Sequence, residues 1–167
     1  MIENINRVVI LNNIRSNQNV GSIFRTADAT GVTKIILVGY TPTPIDRFGR
    51  ENKGLTKASL GAEKFVKWEK VETLEKVIND LKNFSKNFMI VGIEQDKKAI
   101  NYRKIKNNKT KNIALVFGNE VDGLSKEDLQ FCDVIAELPM LGQKESLNVS
   151  VCAGVVLYSL ITDGSDN

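Results

Sequence analysis

Three polar segments of the chain carry side chains that could bind a phosphate or take part in group transfer. The first segment runs from Asn13 to Asp28. Guanidinium and amide N–H groups are donors that suit phosphate oxygens, and this segment supplies them from Arg15, Asn17, Asn19 and Arg25. The spacing also fits a plain surface helix, in which Arg25 and Asp28, at i and i+3, form an ion pair.

The second segment, Gly118 to Ser125, has the glycine spacing of a phosphate-binding P-loop. Leu124, however, occupies the position where such a loop needs a lysine, which disfavours that interpretation. A plain turn would need the glycines only for their positive φ angles. It would leave three polar residues without a role, namely Asn119, Glu120 and Asp122.

The third segment, Leu138 to Gly154, leads into a long uncharged stretch. Ser146 or Asn148 could cap a helix that begins there. The N-terminus of a helix also presents free backbone N–H groups and a partial positive charge to a bound carboxylate or phosphate. The segment therefore predicts a helix start, with a ligand site as the alternative reason for its polar residues.

The composition excludes several kinds of active site. The chain has no histidine and two cysteines, Cys132 and Cys152, which do not form a CxxC pair. Ser-His-Asp and Cys-His mechanisms are excluded, and we expect no metal site of the usual Cys/His kind. No GxGxxG follows the first apolar run, so the usual dinucleotide-binding fingerprint is also missing.

Basic residues concentrate in two stretches, although the net charge is only +3. Residues 97–112 hold seven lysines and arginines and no acid. The other stretch contains Arg47, Arg50, Lys53 and Lys57, interrupted by Glu51. These stretches are either solvated loops or a surface that contacts nucleic-acid phosphates. The candidate RNA-binding residues are Arg15, Arg47, Arg50 and Lys104.

Short β-branched runs alternate with helical patterns along the chain. The predicted strands are Arg7–Leu11, Lys34–Val38, Phe88–Gly92, Ile113–Phe117 and Val134–Leu138, with Lys64–Trp68 as a weaker edge candidate. The predicted helices are Val20–Thr30 with Gly31 as its stop, Val71–Phe84, a short helix opened by a capping box over Ser125–Asp128, and Asn148–Ile161. This alternation predicts an α/β domain with a mainly parallel sheet, whose ligands bind at the carboxyl ends of the strands.

The apolar stretch near the C-terminus does not predict a membrane span. Residues 146–162 carry no charge over 17 residues, but this length is short for a span and includes polar side chains. We predict a helix that is buried on several sides. Residues 1–7 lack the apolar core of a signal peptide, so we expect a cytoplasmic protein with reduced thiols.

Taken together and in order, the three segments resemble the signature motifs of the SpoU–TrmH family, a branch of the knotted SPOUT methyltransferases. The first motif corresponds to Asn13–Val32, the second to Leu115–Ser125 and the third to Leu138–Val156. Residues 41–44, 57–63 and 92–95 are also similar to stretches that lie between the motifs. The resemblance covers nearly the whole chain.

The resemblance implies a fold and an activity. It implies helices on both faces of the sheet, a deep C-terminal trefoil knot, and transfer of a methyl group from S-adenosylmethionine to a ribose 2′-hydroxyl of RNA. It further implies a homodimer whose active site is completed across the interface. Residues 1–167 are expected to form a single catalytic domain without an added RNA-binding domain, acting on tRNA in preference to rRNA.

The resemblance also assigns roles to individual residues. The implied catalytic residues are Arg25, Asn19, Glu120, Ser146 and Asn148. The implied S-adenosylmethionine contacts are Gln95, Gly118, Leu138, Met140 and Leu147.

Arg25 would be a poor general base, because a guanidinium stays protonated in proteins. We hypothesise that Arg25 binds the phosphate beside the target ribose, and that this pair polarises or accepts the 2′-hydroxyl proton. Ser146, Asn148 and Glu120 would orient Arg25 and the nucleotide. Two other functions stay open, a non-catalytic RNA-binding module of the same fold and a nucleotide-binding oxidoreductase.

Overall fold

The computed structural model describes residues 6–105 and 112–162. Within these ranges the strands are β1 (Arg7–Asn12), β2 (Lys34–Val38), β3 (Lys67–Val71), β4 (Phe88–Ile93), β5 (Ile100–Asn101), β6 (Asn112–Phe117) and β7 (Val134–Glu137). The α-helices there are α1 (Asn17–Ala29), α2 (Lys53–Ser59), α3 (Leu74–Phe84), α4 (Lys126–Gln130) and α5 (Val149–Thr162). Lys106, Lys109 and Lys111 of the predicted basic stretch lie outside the described residues.

The strands form one sheet in the order β3-β2-β1-β6-β4-β7-β5, and each neighbouring pair is parallel. The interior strand β1 pairs Ile10 with Ile36 of β2 and with Val116 of β6. Apolar side chains point to both faces of β1, because Val9 and Leu11 pack in one core cluster and Val8 and Ile10 in the other. The nearly continuous apolar runs of the sequence are thus strands covered on both sides.

Helices cover both faces of the sheet, as predicted. One face carries α1, α2 and α5, whose buried residues include Phe24, Leu55 and Leu157. The other face carries α3 through Leu74, Val77 and Ile78. The predicted fold class, a mainly parallel α/β sheet with helices on both faces, is confirmed. The strand order does not define how the chain threads through itself, so the trefoil knot stays a prediction.

Helix α1 begins and ends through local hydrogen bonds. The Ser16 hydroxyl accepts a hydrogen bond from the Asn19 N–H at 3.2 Å, so the helix starts three residues before the predicted Val20. At the other end Gly31 has a φ of +68°. The Val32 N–H donates to the Ala27 carbonyl at 2.9 Å, which completes a Schellman-type cap. Gly31 is therefore the stop that its position predicted.

Two predicted elements near the edge of the sheet are displaced. The edge strand was predicted at 64–68 and lies at Lys67–Val71, because a short 3-10 helix occupies Ala62–Lys64. The predicted helix start at Val71 is also wrong, since Val71 ends β3 and the Thr73 side chain caps α3. The sequence patterns predicted neither the seven-residue α2 nor the two-residue β5.

Helix α5 is only partly enclosed. Ala153, Val156 and Leu157 are buried in the core, whereas Val151 and Val155 are exposed. The prediction that this helix is buried on several sides is wrong within a single chain, because one of its faces is open. Across the described ranges, no helix combines the length and the apolar character that a membrane crossing needs.

Candidate functional site

A cavity of about 680 Å³ opens where β4, β6 and β7 end and α5 begins. This volume lies in the usual range of small-molecule sites, roughly 300–1,000 Å³. All five residues predicted to contact S-adenosylmethionine line the cavity, namely Gln95, Gly118, Leu138, Met140 and Leu147. Three of the predicted catalytic residues line it as well, namely Glu120, Ser146 and Asn148. The fold therefore brings the second and third motifs together at the carboxyl edge of the sheet.

The cavity is strongly acidic. Among the residues that the structure describes, its lining contains no lysine or arginine and five carboxylates, namely Glu94, Glu120, Asp122, Glu137 and Glu145. Such a set of charges attracts a cationic ligand and repels a phosphate. The charges disfavour a dinucleotide in this cavity and, with it, the oxidoreductase alternative.

The loop after β6 is held in a closed turn by Asn119. Its Oδ1 accepts hydrogen bonds from the N–H groups of Val121 and Asp122, at 2.8 and 3.1 Å. Its Nδ2 donates to the Asn13 carbonyl and the Tyr40 hydroxyl, at 2.9 and 2.7 Å. Asn119 therefore fixes the loop after β6 against the loops after β1 and β2.

Two glycines of this loop are required by close backbone approach. A Cβ on Gly118 would overlap the backbone of Gly123. Gly123 itself has a φ of +67°, and a Cβ there would overlap the carboxylate of Glu94. The glycines thus allow the turn and its contact with β4, and no bound phosphate is needed to explain them.

Glu94 is a site residue that the sequence analysis missed. Its Oε2 accepts a hydrogen bond from the Leu124 N–H at 2.8 Å, and its Oε1 accepts one from the Gln95 N–H at 2.9 Å. Both bonds hold backbone at the wall of the cavity. The available signal was its position in residues 92–95, directly after the carboxyl end of β4.

Glu120 joins the second motif to the start of α1. Its carboxylate accepts hydrogen bonds from the Arg15 N–H at 2.9 Å, the Ser16 N–H at 3.0 Å and the Asn19 Nδ2 at 3.0 Å. The partial positive charge at the N-terminus of α1 also favours a carboxylate. Partial burial raises the pKa of Glu120, but the hydrogen bonds from Arg15, Asn19 and Ser16 outweigh it, and the pKa is lowered.

Asn148 joins the third motif to the same network. Its Oδ1 accepts from the Ser150 N–H at 2.9 Å and so caps α5. Its Nδ2 donates to the Asn19 Oδ1 at 3.1 Å. Asn148, and not Ser146, is thus the cap of α5. The chain of contacts from Glu120 through Asn19 to Asn148 connects all three motifs.

Arg25 lies outside this network. It is exposed on α1, does not line the cavity, and forms no hydrogen bond or ion pair with any described residue. The simple interpretation as a surface ion pair with Asp28 is therefore wrong. The orienting contacts expected from Ser146, Asn148 and Glu120 are not formed among the described residues of one chain.

The candidate RNA-binding residues lie in segments that follow the carboxyl ends of strands. Arg47 and Arg50 follow β2, and Lys104 lies in the turn that follows β5. Because the strands are parallel, these segments and the cavity all lie at carboxyl ends. Arg15 is exposed in the loop after β1. None of these four residues lines the cavity.

The two cysteines are suited to packing and not to nucleophilic chemistry. Burial raises the pKa of both Cys132 and Cys152 to about 11, so both are thiols at neutral pH. Cys152 lines the cavity. In residues 6–105 and 112–162, no three acidic or cysteine side chains are grouped as metal ligands would be.

The fold and the site define a class of protein, an α/β domain with an acidic ligand cavity formed by three separate loops at the carboxyl edge of its sheet. The profile of the SpoU rRNA methylase family matches residues 6–158. The chain belongs to this family, and the predicted resemblance is confirmed.

The sequence aligns over most of its length with curated relatives. It is 34% identical over 151 residues to the Aquifex aeolicus tRNA (guanosine(18)-2'-O)-methyltransferase, a match that covers 90% of this chain and 66% of the relative. The chain spans 62% of the length of a Staphylococcus aureus relative, 66% of the Aquifex relative and 59% of a Staphylococcus haemolyticus relative.

Solved structures show the same fold. An AdoMet-bound rRNA methyltransferase from Sinorhizobium meliloti superposes with a TM-score of 0.82 at 27% identity, covering 95% of this chain and 56% of that one. The Aquifex aeolicus TrmH/SpoU tRNA modifying enzyme superposes with a TM-score of 0.78 at 32% identity, covering 93% of this chain and 73% of that one.

Proposed function

We propose that this protein transfers a methyl group from S-adenosylmethionine to a ribose 2′-hydroxyl of RNA. The observation that carries the proposal is the acidic cavity formed by the family motifs, whose described lining residues include no lysine or arginine. S-adenosylmethionine is a sulfonium cation, so it suits such a cavity. The Sinorhizobium meliloti structure is described as AdoMet-bound, and the Aquifex relative as a tRNA 2'-O-methyltransferase. Both support the proposal.

The residues of the cavity fit this cofactor. Gln95, Gly118, Leu138, Met140 and Leu147 would hold it, largely through backbone groups that the glycine turn leaves accessible. When bound, the cofactor supplies an electrophilic methyl group: the C–S bond breaks as the C–O bond forms, and sulfur keeps the electron pair. The carboxylates favour the charged donor over its neutral product, so they serve binding and product release more than the chemical step.

Arg25 is proposed to act on the RNA. Its guanidinium has no partner among the described residues, so it is free to bind the phosphate beside the target ribose. The phosphate and the arginine together would polarise the 2′-hydroxyl and receive its proton. Asn19, Glu120 and Asn148 position the start of α1, the helix that carries Arg25. Ser146, which lines the cavity, would contact the nucleotide.

A homodimer is proposed from the open face of α5. The exposed apolar side chains Val151, Val155 and Tyr158 recur at i, i+4 and i+7, along one side of that helix. Gly154 lies in mid-helix, and apart from the adjacent backbone of α5 no atom of the described residues lies within 4 Å of the place where a Cβ would be. Glycine destabilises a helix interior by about 1 kcal/mol relative to alanine, and close approach of a second helix would explain it. Arg25 of one protomer would then act at the cavity of the other.

The RNA class proposed is tRNA, with rRNA as the alternative. The tRNA assignment rests on the Aquifex relative, whereas the Sinorhizobium relative is described as an rRNA methyltransferase. The basic residues in the segments that follow β1, β2 and β5 suit either RNA. The cytoplasmic location and the single-domain organisation stay predictions.

The proposed function is tested by two measurements on the full chain. Calorimetric titration should show binding of S-adenosylmethionine and not of NAD. Incubation with S-adenosylmethionine and separate pools of tRNA and rRNA, followed by mass-spectrometric nucleoside analysis, should detect a 2′-O-methylated nucleoside in the tRNA pool. Cofactor binding without methylation of either pool would favour the non-catalytic module. NAD binding without S-adenosylmethionine binding would restore the oxidoreductase.

A further inference from the structure

A hairpin at the carboxyl edge of the sheet exposes an aromatic ring between two arginines. We name residues 45–51 the Phe48 hairpin. Phe48 is 67% exposed. The guanidinium carbons of Arg47 and Arg50 lie 4.7 and 5.1 Å from the centre of its ring. Single exposed rings are common on protein surfaces, and Phe65 and Phe84 are more exposed than Phe48. The two guanidinium groups beside its ring distinguish Phe48.

The Phe48 hairpin is a folded structure that holds the ring in place. Asp46 Oδ1 accepts hydrogen bonds from the Phe48 and Arg50 N–H groups, at 2.8 and 2.9 Å. Its Oδ2 accepts one from the Arg50 Nε at 2.7 Å. Ile45 and Glu51 pair across the base of the hairpin. A preformed loop loses little conformational entropy on binding, which suits a recognition surface.

The hairpin is tied to the start of α1. Asn52, the next residue after it, donates from Nδ2 to the Asn17 Oδ1 at 2.8 Å. Asn17 is two residues from Asn19, the centre of the site network. The chain reaches at most about 3.5 Å per residue, so the Cα of Phe48 lies within about 14 Å of the Cα of Asn52. The ring is therefore within a few nucleotides of the proposed methylation site.

The charges of the hairpin favour RNA. Arg50 is paired with Asp46, whereas Arg47 has no ion pair with the described residues. The Arg47 guanidinium contacts the Phe48 ring but carries an unneutralised charge. A nucleotide suits this pair, because its base can take the place of the guanidinium on the ring while its phosphate binds the cation. The neighbouring cavity is acidic and repels phosphate, so the hairpin can bind RNA where the cavity cannot.

We propose that the Phe48 hairpin binds an unpaired nucleotide next to the methylated one, with the base stacked on Phe48 and the phosphate on Arg47. The proposal rests on the proposed function in taking RNA as the substrate. A base inside a continuous duplex is already stacked on both faces and cannot stack on a side chain. The substrate class is therefore RNA with a single-stranded loop at the site of methylation.

The test compares two synthetic RNAs of equal length, a stem-loop and a fully paired duplex, by fluorescence anisotropy. Phe48→Ala should weaken stem-loop binding about tenfold, and should leave duplex binding unchanged. Phe48→Tyr should restore the affinity for the stem-loop. The matched control is Phe65→Ala, because Phe65 is 79% exposed and lies near Lys67, at the opposite edge of the sheet.

A second readout reports stacking directly. The chain contains one tryptophan, Trp68, so Phe48→Trp in a Trp68→Phe background places a single fluorophore on the hairpin. Stem-loop RNA should quench its emission, and duplex RNA should not. The proposal would be overturned if Phe48→Ala bound each RNA with the same affinity as wild type and the RNA did not quench the tryptophan. It would also be overturned if Phe48→Ala changed the state of association that sedimentation measures, because the ring would then contact another protein chain and not RNA.

These results are independent of the proposed catalysis. Failure of wild-type protein to bind S-adenosylmethionine or to methylate RNA would refute the proposed function while stem-loop binding could still depend on Phe48. Methylation that is normal in Phe48→Ala at low stem-loop concentration would refute the stacking proposal and leave the proposed function intact.

Discussion

Glu120 is the residue on which the geometry of the site most depends, since its carboxylate satisfies three N–H groups at the start of α1. We expect Glu120→Gln to destabilise the fold by about 1–2 kcal/mol at about pH 7, because a neutral amide accepts these bonds less well and the site is partly solvated. Urea unfolding measures the difference.

The pH dependence of this effect has a definite sign. The folded protein lowers the pKa of Glu120 below its ordinary 4.5. The stabilisation is therefore fully present above 4.5 and disappears as pH falls through the lowered pKa. Wild type and Glu120→Gln should converge in acid. Glu145→Gln is the control, because Glu145 lines the cavity but forms no hydrogen bond with the described residues, and its stability at neutral pH should match that of wild type.

Arg25 is proposed to act on the RNA although it lies outside the cavity and outside the hydrogen-bond network of the site. We expect Arg25→Ala to lower the rate of methyl transfer about 100-fold or more, with S-adenosylmethionine affinity unchanged, because Arg25 does not line the cavity. Single-turnover assays with labelled cofactor, beside calorimetry, measure the two effects.

Arg25→Lys separates charge from shape, since it keeps the charge but loses the two-pronged guanidinium. We expect it to be at least about tenfold slower than wild type. A near wild-type rate would contradict bidentate phosphate binding. Lys86→Ala, which removes an exposed cation just before β4 at the opposite edge, should leave the rate unchanged.

At the scale of elements, α1 and α2 are in unusually close contact. A Cβ on Gly21 of α1 would overlap the Leu55 carbonyl and the Ala58 Cβ of α2. We expect Gly21→Ala to destabilise the fold by about 1–3 kcal/mol, because one of the helices must shift. Thermal unfolding measures the loss. The control is Ser22→Ala, on the same turn, which adds no atom and should leave the stability close to that of wild type. If both variants were equally stable, α1 and α2 would separate without cost and the prediction would be wrong.

The pairing of α1 with α2 also matters for the site. Because the Phe48 hairpin leads directly into α2, any shift of α2 moves the hairpin relative to Asn19. We therefore expect Gly21→Ala to weaken RNA binding more than S-adenosylmethionine binding.

At the scale of the whole molecule, the open face of α5 predicts association. Val151 is 51% exposed and Val155 is 38% exposed on that face. We expect Val151→Asp to convert the proposed dimer to a monomer, because it would bury a charge in an apolar interface. Sedimentation equilibrium at micromolar concentration measures the state, and methyl transfer should be lost while S-adenosylmethionine still binds.

The matched control for the interface is Phe84→Asp, because Phe84 is 76% exposed at the end of α3, on the other face of the sheet. Its state of association should equal that of wild type. A wild-type protein that sediments as a monomer would contradict the proposal, and Val151→Asp would then have no effect on its mass.

Much of the fold was predictable from local sequence, and the reason is burial. Strands of a parallel sheet are apolar on both faces, so β1, β2, β4, β6 and β7 were found within one residue at each end. Two elements were not predictable. Helix α2 has seven residues with two buried side chains, too few for a periodic pattern. Strand β5 has two residues and exists through its pairing with β7.

The candidate site was predictable only as a set of segments. Its polar residues follow strand ends, and parallel strands bring their carboxyl ends to one edge. The contacts that join the segments span 101 residues between Asn19 and Glu120 and 129 residues between Asn19 and Asn148. No local pattern specifies such pairs, and Glu94 was missed because its partners are backbone N–H groups of another loop.

The sequence by itself therefore determined the fold class, the family and the segments that form the site, because these depend on local apolar pattern and on motifs in order. The tertiary structure decided the rest. It gathered carboxylates from separate loops into one acidic cavity, left Arg25 outside that cavity, and left one face of α5 open. Each of these is a sum over residues far apart in the chain, and only folding brings such residues within the few ångströms at which charge and packing act.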